Sequence, residues 1–104
     1  MITLTANAKT DVRLLNAYNL YLKAISCKPV ITSGYRTPRR NRQVGGVKNS
    51  YHLKGQAFDL VFPGCLTPKQ DLFNIAKLFF NGVIEYHDHL HVDIRETPYY
   101  GKGK

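Results

Sequence analysis

The chain has 104 residues and a formal net charge of +8, which leaves room for one compact domain and little else. No apolar run approaches the roughly 18 residues that a membrane-spanning helix needs, so such a helix is excluded. Seven Tyr and five Phe can build a core in the absence of Trp, which sets the chain apart from disordered sequences.

The N-terminal "MITLTANAKTDVR" has no basic region followed by an apolar stretch, so no secretory signal is expected. Residues 10–26, "TDVRLLNAYNLYLKAIS", carry Val12, Leu15, Tyr18, Leu22 and Ile25 at spacings of three and four, the pattern of an amphipathic helix. Thr10 is the expected N-cap, with Asp11 in the first turn suited to the positive end of the helix dipole. "KPVITSGY" (28–35) is a β-rich run after a proline and reads as a strand ending at Gly34. "TPRRNRQVGG" (37–46) predicts a short helix opened by Pro38 and closed by Gly45 and Gly46.

"GQAFDLVF" (55–62) alternates Ala57, Asp59 and Val61 against Phe58, Leu60 and Phe62, as a strand does. "TPKQDLFNIAKLFFNG" (67–82) predicts a helix with Thr67 as cap, Pro68 in first position and Gln70 completing a capping box. Its buried stripe would be Leu72, Ile75, Ala76 and Phe79. "VIEYH" and "HLHVDI" read as two strands, with a hairpin about Asp88, and the tail 99–104 is expected to fray. The order predicts a single α+β domain over residues 1–104, an antiparallel sheet with helices packed on it.

Between Asp11 and Asp59 there is no acid, yet that span holds nine basic residues. Such a surface attracts polyanions, whether nucleic acid, anionic lipid or an acidic wall polymer. Arg39, Arg40 and Arg42 read first as a solvated basic helix face. Cys27 and Cys65 form no CxxC. One disulfide is possible, but two buried free thiols in a reducing compartment are expected.

The chemistry concentrates in "NSYHLKGQAFDL" (49–60) and "EYHDHLHVD" (85–93). His52, Asp59 and His91 would offer N, O and N to a zinc ion, with Gly55 letting the chain turn between the first two. A histidine alone is more often an ordinary surface or core residue. Three of the four fall within five residues, beside Asp88 and Asp93. On a strand His89 and His91 would face the same side.

"SGYRTP", "SYHLKGQAFDL" and "HDHLHVD" together resemble the zinc D-Ala-D-Ala carboxypeptidase and L,D-endopeptidase family, which includes phage endolysins and vancomycin-resistance dipeptidases. The three blocks occur in order over roughly residues 30–95. The resemblance implies a zinc DD-peptidase or hedgehog-like fold, with His52, Asp59 and His91 as zinc ligands and Asp88, three before His91, as general base. It further implies that His89 stabilises the transition state, that Arg36 binds substrate and polarises its carbonyl, and that Ser50 supports the site.

A continuous strand over 85–91 would turn Asp88 away from His91, so this assignment requires a turn or bulge near Asp88. Glu85, of the same parity as His91, is the alternative base. Asp93 shares that parity and reads either as an acceptor orienting a ligand or as an ordinary strand-end acid. His87 is expected at the rim or on the surface. Tyr35 and Tyr51 flank the presumed cleft, with core packing the plainer reading.

The function these residues imply is zinc-dependent hydrolysis of a peptide bond in bacterial peptidoglycan, by a D-Ala-D-Ala carboxypeptidase or an L-Ala-D-Glu-type endopeptidase. The enzyme would be a monomer, phage- or prophage-associated. It would be made in the cytoplasm and act on the wall after release or as part of a virion. A non-catalytic wall-binding or virion structural module keeping the fold is the alternative, although every catalytic position is filled. A specific nucleic-acid role ranks last, since the basic span contains no recognised nucleic-acid motif.

Overall fold

A computed structural model describes residues 9–103; the segment 1–8, read above as lacking a secretory signal, lies outside them. Helix α1 runs Val12–Ala24, β1 Val30–Ser33, α2 Pro38–Gln43, β2 Ala57–Val61, α3 Lys69–Ala76, β3 Gly82–Glu85, β4 Leu90–Asp93 and β5 Tyr99–Lys102. A single 3₁₀ turn, Tyr51–Lys54, precedes β2. The strands form one sheet in the order β1-β2-β4-β3-β5. No helix among the described residues is long and apolar enough to cross a membrane.

The α+β architecture is the expected one, and β1, β2, β4 and β3 pair antiparallel. The sheet becomes mixed at its edge, because β5 joins β3 in parallel. The expected frayed tail is thus a strand over 99–102, and of that tail only Lys104 lies outside the described residues. Its backbone is tied at both ends, Tyr99 N–H donating to the Asn81 carbonyl (2.8 Å) and Gly103 N–H to that of Glu85 (2.9 Å).

Pairing register decides what each face carries. Phe58 opposes Val92 and Leu60 opposes Leu90, while Val83 also opposes Val92. Side chains opposite one another share a face. These residues meet Leu14, Tyr18 and Tyr21 of α1 and Ala76 of α3 to make the core. Tyr18 meets Phe58 edge-on at 5.3 Å, and the Tyr21 hydroxyl donates to the Leu72 carbonyl of α3 (2.9 Å). Fully burying one such side chain contributes on the order of 1.5–3 kcal/mol.

The predicted stripe of α1 is rotated in the structure. Leu14, Tyr18 and Tyr21 are buried, Tyr18 against Phe58 of the sheet, while Val12 is 64% exposed. Asp11 rather than Thr10 is the N-cap, its carboxylate accepting from the Arg13 N–H. Helix α3 is shorter than predicted at both ends. Thr67 does not cap it; its hydroxyl bonds Ser26 (3.0 Å), and Pro68 holds the cap position without a side-chain bond. At the other end Leu78 and Phe79 donate three residues back, tightening the chain so that Phe80 enters the core.

The expectation of free thiols is overturned. Cys27 and Cys65 form a disulfide, with Cα atoms 5.5 Å apart, joining the end of α1 to the loop before α3. Helix ends and loops brought together by core packing place the two sulfurs side by side, a proximity that spacing alone does not reveal.

Candidate metal centre

The face of the sheet opposite α1 and α3 carries Asp59 and His91, cross-strand partners at the centre of β2 and β4. The third member arrives on the 3₁₀ turn. Ser50 caps that turn, its hydroxyl accepting from the His52 N–H (3.2 Å), and Gly55 ends it at φ +69°. A side chain at Gly55 would strike the Lys9 carbonyl, so glycine is required on two counts. The turn delivers His52 to the sheet with 2% of its surface exposed.

The geometry separates the two nitrogens of each ring. His52 Nδ1 lies 2.8 Å from the Gly34 carbonyl, which can only accept, so this nitrogen carries the proton and Nε2 presents a lone pair. That Nε2 is 3.2 Å from Asp59 Oδ1. His91 is the mirror case, with Nε2 held 2.7 Å from Asp93 Oδ2 and Nδ1 3.2 Å from the same Asp59 oxygen. One donor atom from each of the three residues lies within 4.8 Å of the others. Two imidazoles fixed from behind, with a carboxylate between them, are the donor set a divalent zinc takes.

The same contacts set the charges of the three groups. Burial would raise the Asp59 pKa, but the contacts with His52 and His91 outweigh it and hold the carboxyl well below its ordinary range. Burial likewise opposes ionisation of Asp93, yet Arg95 and then His91 keep it ionised. For His91 burial favours the neutral ring, while Asp59 and Asp93 prevail and raise its pKa.

Arg36 sits on the outer edge of Asp59. Its Nη2 donates to Asp59 Oδ2 (3.0 Å), its Nε to Ser33 Oγ (2.9 Å) and its Nη1 to Asn41 Oδ1 (3.1 Å). A β-carbon at Gly46 would collide with the Asn41 carboxamide, so the glycine closing α2 makes room for this clamp. Asn41 was not singled out from the sequence. It is the only buried residue of a basic six-residue helix, and nothing in the local pattern marks it.

Residues 86–89 form the turn that the assignment of Asp88 required, with Tyr86 N–H donating to the His89 carbonyl (2.9 Å). His89 reaches the centre, its Nε2 3.9 Å from Asp59 Oδ1 and its ring stacked on Tyr86 at 4.4 Å. Asp88 stands behind it, 81% exposed, its Oδ1 2.7 Å from His89 Nδ1. The contact with His89 lowers the Asp88 pKa. The Asp88 side chain therefore meets the cleft only through His89.

Glu85 does not share a face with His91. Ile84 opposes His91 and Glu85 opposes Leu90, because the hairpin turn breaks the parity of a continuous strand. Glu85 instead comes within 3.9 Å of Lys69 on the helical side. His87 is exposed, and its carbonyl accepts from Lys69 (3.0 Å). The cleft above the three donors encloses about 460 Å³ and is lined by Arg36, Tyr51, His89 and Arg95 among others, though not by Tyr35.

A family model for peptidase M15 matches residues 3–93, and no curated protein matches the chain. Peptidases of that family depend on zinc, and the buried group of His52, Asp59 and His91 is able to bind such an ion. The match spans most of the chain, from before α1 to the end of β4: the protein belongs to the peptidase M15 family of zinc metallopeptidases.

Proposed function

We propose that the protein hydrolyses a peptide bond in bacterial peptidoglycan, with His52, Asp59 and His91 holding the zinc. The observation that carries this reading is the pair of imidazoles whose outer nitrogens are already committed to Gly34 and Asp93, leaving the inner nitrogens aimed at one carboxylate. Zinc held there supplies a Lewis acid that polarises the scissile carbonyl and makes water more acidic.

The chain's own residues supply the rest. Arg36 brings guanidinium N–H groups to the Asp59 side of the cleft, where they stabilise negative charge developing on the substrate oxygen. The His89 Nδ1 proton is held by Asp88, so Nε2 faces the cleft as an acceptor. It takes a proton from water and returns it to the leaving amine, which makes His89 the acid–base group and Asp88, expected above as the base, its orienting partner. Ser50 keeps the His52 turn closed.

Peptidoglycan as substrate is supported by the three sequence blocks and by the +8 charge, which draws the protein to anionic wall polymers. The Cys27–Cys65 disulfide suits work outside the reducing cytosol, where the wall lies. A phage- or prophage-borne lytic enzyme, monomeric and released to the wall, fits these features.

The test is incubation with defined muropeptides, products read by mass spectrometry, alongside zinc content. His52→Ala and His91→Ala lose both metal and activity. Asp88→Asn keeps its zinc and loses about 10²- to 10⁴-fold in turnover, because the amide no longer fixes the His89 tautomer that acid–base catalysis needs. Retention of stoichiometric zinc by both histidine variants sinks the ligand assignment.

A further inference from the structure

Behind the metal centre, Asp93 is entirely buried, and its oxygens are divided between a ligand and an arginine. Oδ2 meets His91 Nε2 at 2.7 Å. Arg95 grips the same carboxylate as a fork, with Nε 2.9 Å from Oδ1 and Nη2 2.6 Å from Oδ2, and adds its backbone N–H to Oδ1 at 3.0 Å. The guanidinium carbon lies 4.7 Å from the Tyr51 ring centre and 5.4 Å from that of Tyr99. Tyr51 immediately precedes His52 on the 3₁₀ turn, whereas Tyr99 opens the edge strand β5.

One guanidinium thus touches the turn that carries one imidazole, the carboxylate that orients the other, and the C-terminal strand. We infer that Arg95 is a positioning residue that fixes both histidines relative to each other, and that β5 supports it through Tyr99. This rests on the ligand assignment above.

The physical reasons are specific. A carboxylate with no solvent exposure needs charge-assisted partners, and the fork fixes its plane as well as its charge. Gly82, opposite Asp93 in the β3–β4 register, leaves the space that the carboxylate occupies, since a β-carbon there would strike it. Lysine cannot replace the arginine, because an ammonium neither forks across two oxygens nor offers a planar, delocalised face to two rings. With the fork gone, Asp93 is free to rotate, and the His91 ring loses the contact that aims its inner nitrogen.

The experiment measures zinc affinity by competition against a chromophoric chelator, the visible spectrum of the Co²⁺ form, and the thermal stability of the metal-free protein. Arg95→Met is expected to weaken zinc binding about 10- to 100-fold, the scale for removing an outer-shell partner, and to alter the cobalt bands. Arg95→Lys weakens it in the same direction, and Tyr99→Leu does so to a smaller degree. Leu14→Val, which loosens the core on the other face of the sheet, lowers thermal stability while leaving zinc affinity and the cobalt spectrum unchanged. Should Arg95→Met fail to fold, Arg95→Lys and Tyr99→Leu carry the test. Affinities within twofold of wild type in the folded Arg95 variants, with an unchanged cobalt spectrum, overturn the inference while leaving the ligand set standing. If the wild-type protein takes up no zinc, both fall.

Discussion

Gly55 shows how much of the centre depends on a residue with no side chain. It lies between two proposed ligands, His52 and Asp59, and its φ of +69° is a conformation that L side chains rarely adopt. A β-carbon would also meet the backbone of Lys9 and Thr10, so the 3₁₀ turn and the entry to α1 are pressed together there. Strain of the first kind alone costs about 1–3 kcal/mol, and the backbone clash adds to it. Gly55→Ala is therefore expected to lower unfolding free energy by at least about 2 kcal/mol in denaturant titration; a change under about 0.5 kcal/mol would mean the contact relaxes freely. The grouping of His52, Asp59 and His91 was legible because two imidazoles and a carboxylate fall in the sequence blocks where the chemistry concentrates. Asn41 and Arg95 were not, because their partners Arg36 and Tyr51 meet them only once the loops close over the sheet.

At the scale of an element, hydrophobic spacing located α1 but not its cap or its buried stripe. Both depend on where the helix docks: Asp11 N–H donates to the Gly55 carbonyl (2.9 Å), which pins the helix start one residue past Thr10. Edge strand β5 was illegible for a related reason. "YYGKGK" has weak strand character, and its pairing is supplied by β3. The Asp11 cap gives a pH test. Its hydrogen bond from the Arg13 side chain, then that from the Arg13 backbone, overcomes slight desolvation and lowers its pKa to about 2. A carboxyl whose pKa falls on folding stabilises the fold above its unfolded value, near 3.8, and loses that contribution as pH drops through about 2. Asp11→Ala should cost about 1 kcal/mol at pH 7, with the gap from wild type shrinking between roughly pH 4 and pH 2. A gap that holds constant across that range would show that charge has no part in the cap.

The whole molecule is divided by its sheet. One face carries α1, α3 and the core, and the other carries the donors and the cleft, a division that follows from period-2 alternation in β2 and β4 and that the sequence displayed openly. The disulfide belongs to the first side. It links α1 to the loop before α3 across 38 residues, which in the chain-entropy account stabilises the fold by up to about 4 kcal/mol. Its constraint acts on the unfolded chain, and neither cysteine belongs to the three-residue donor group. Replacing both cysteines by serine should therefore lower the melting temperature by about 10 °C or more, at the several degrees per kcal/mol usual for a domain this size. Zinc affinity of the folded protein should stay within twofold of wild type, since Gly34, Asp93 and the β2–β4 register hold the donors without the crosslink. Calorimetry and chelator competition on the same preparation check the two halves separately. Loss of zinc in step with loss of stability would show that the two faces are coupled, and that the centre takes its geometry from the core as well as from its own hydrogen bonds.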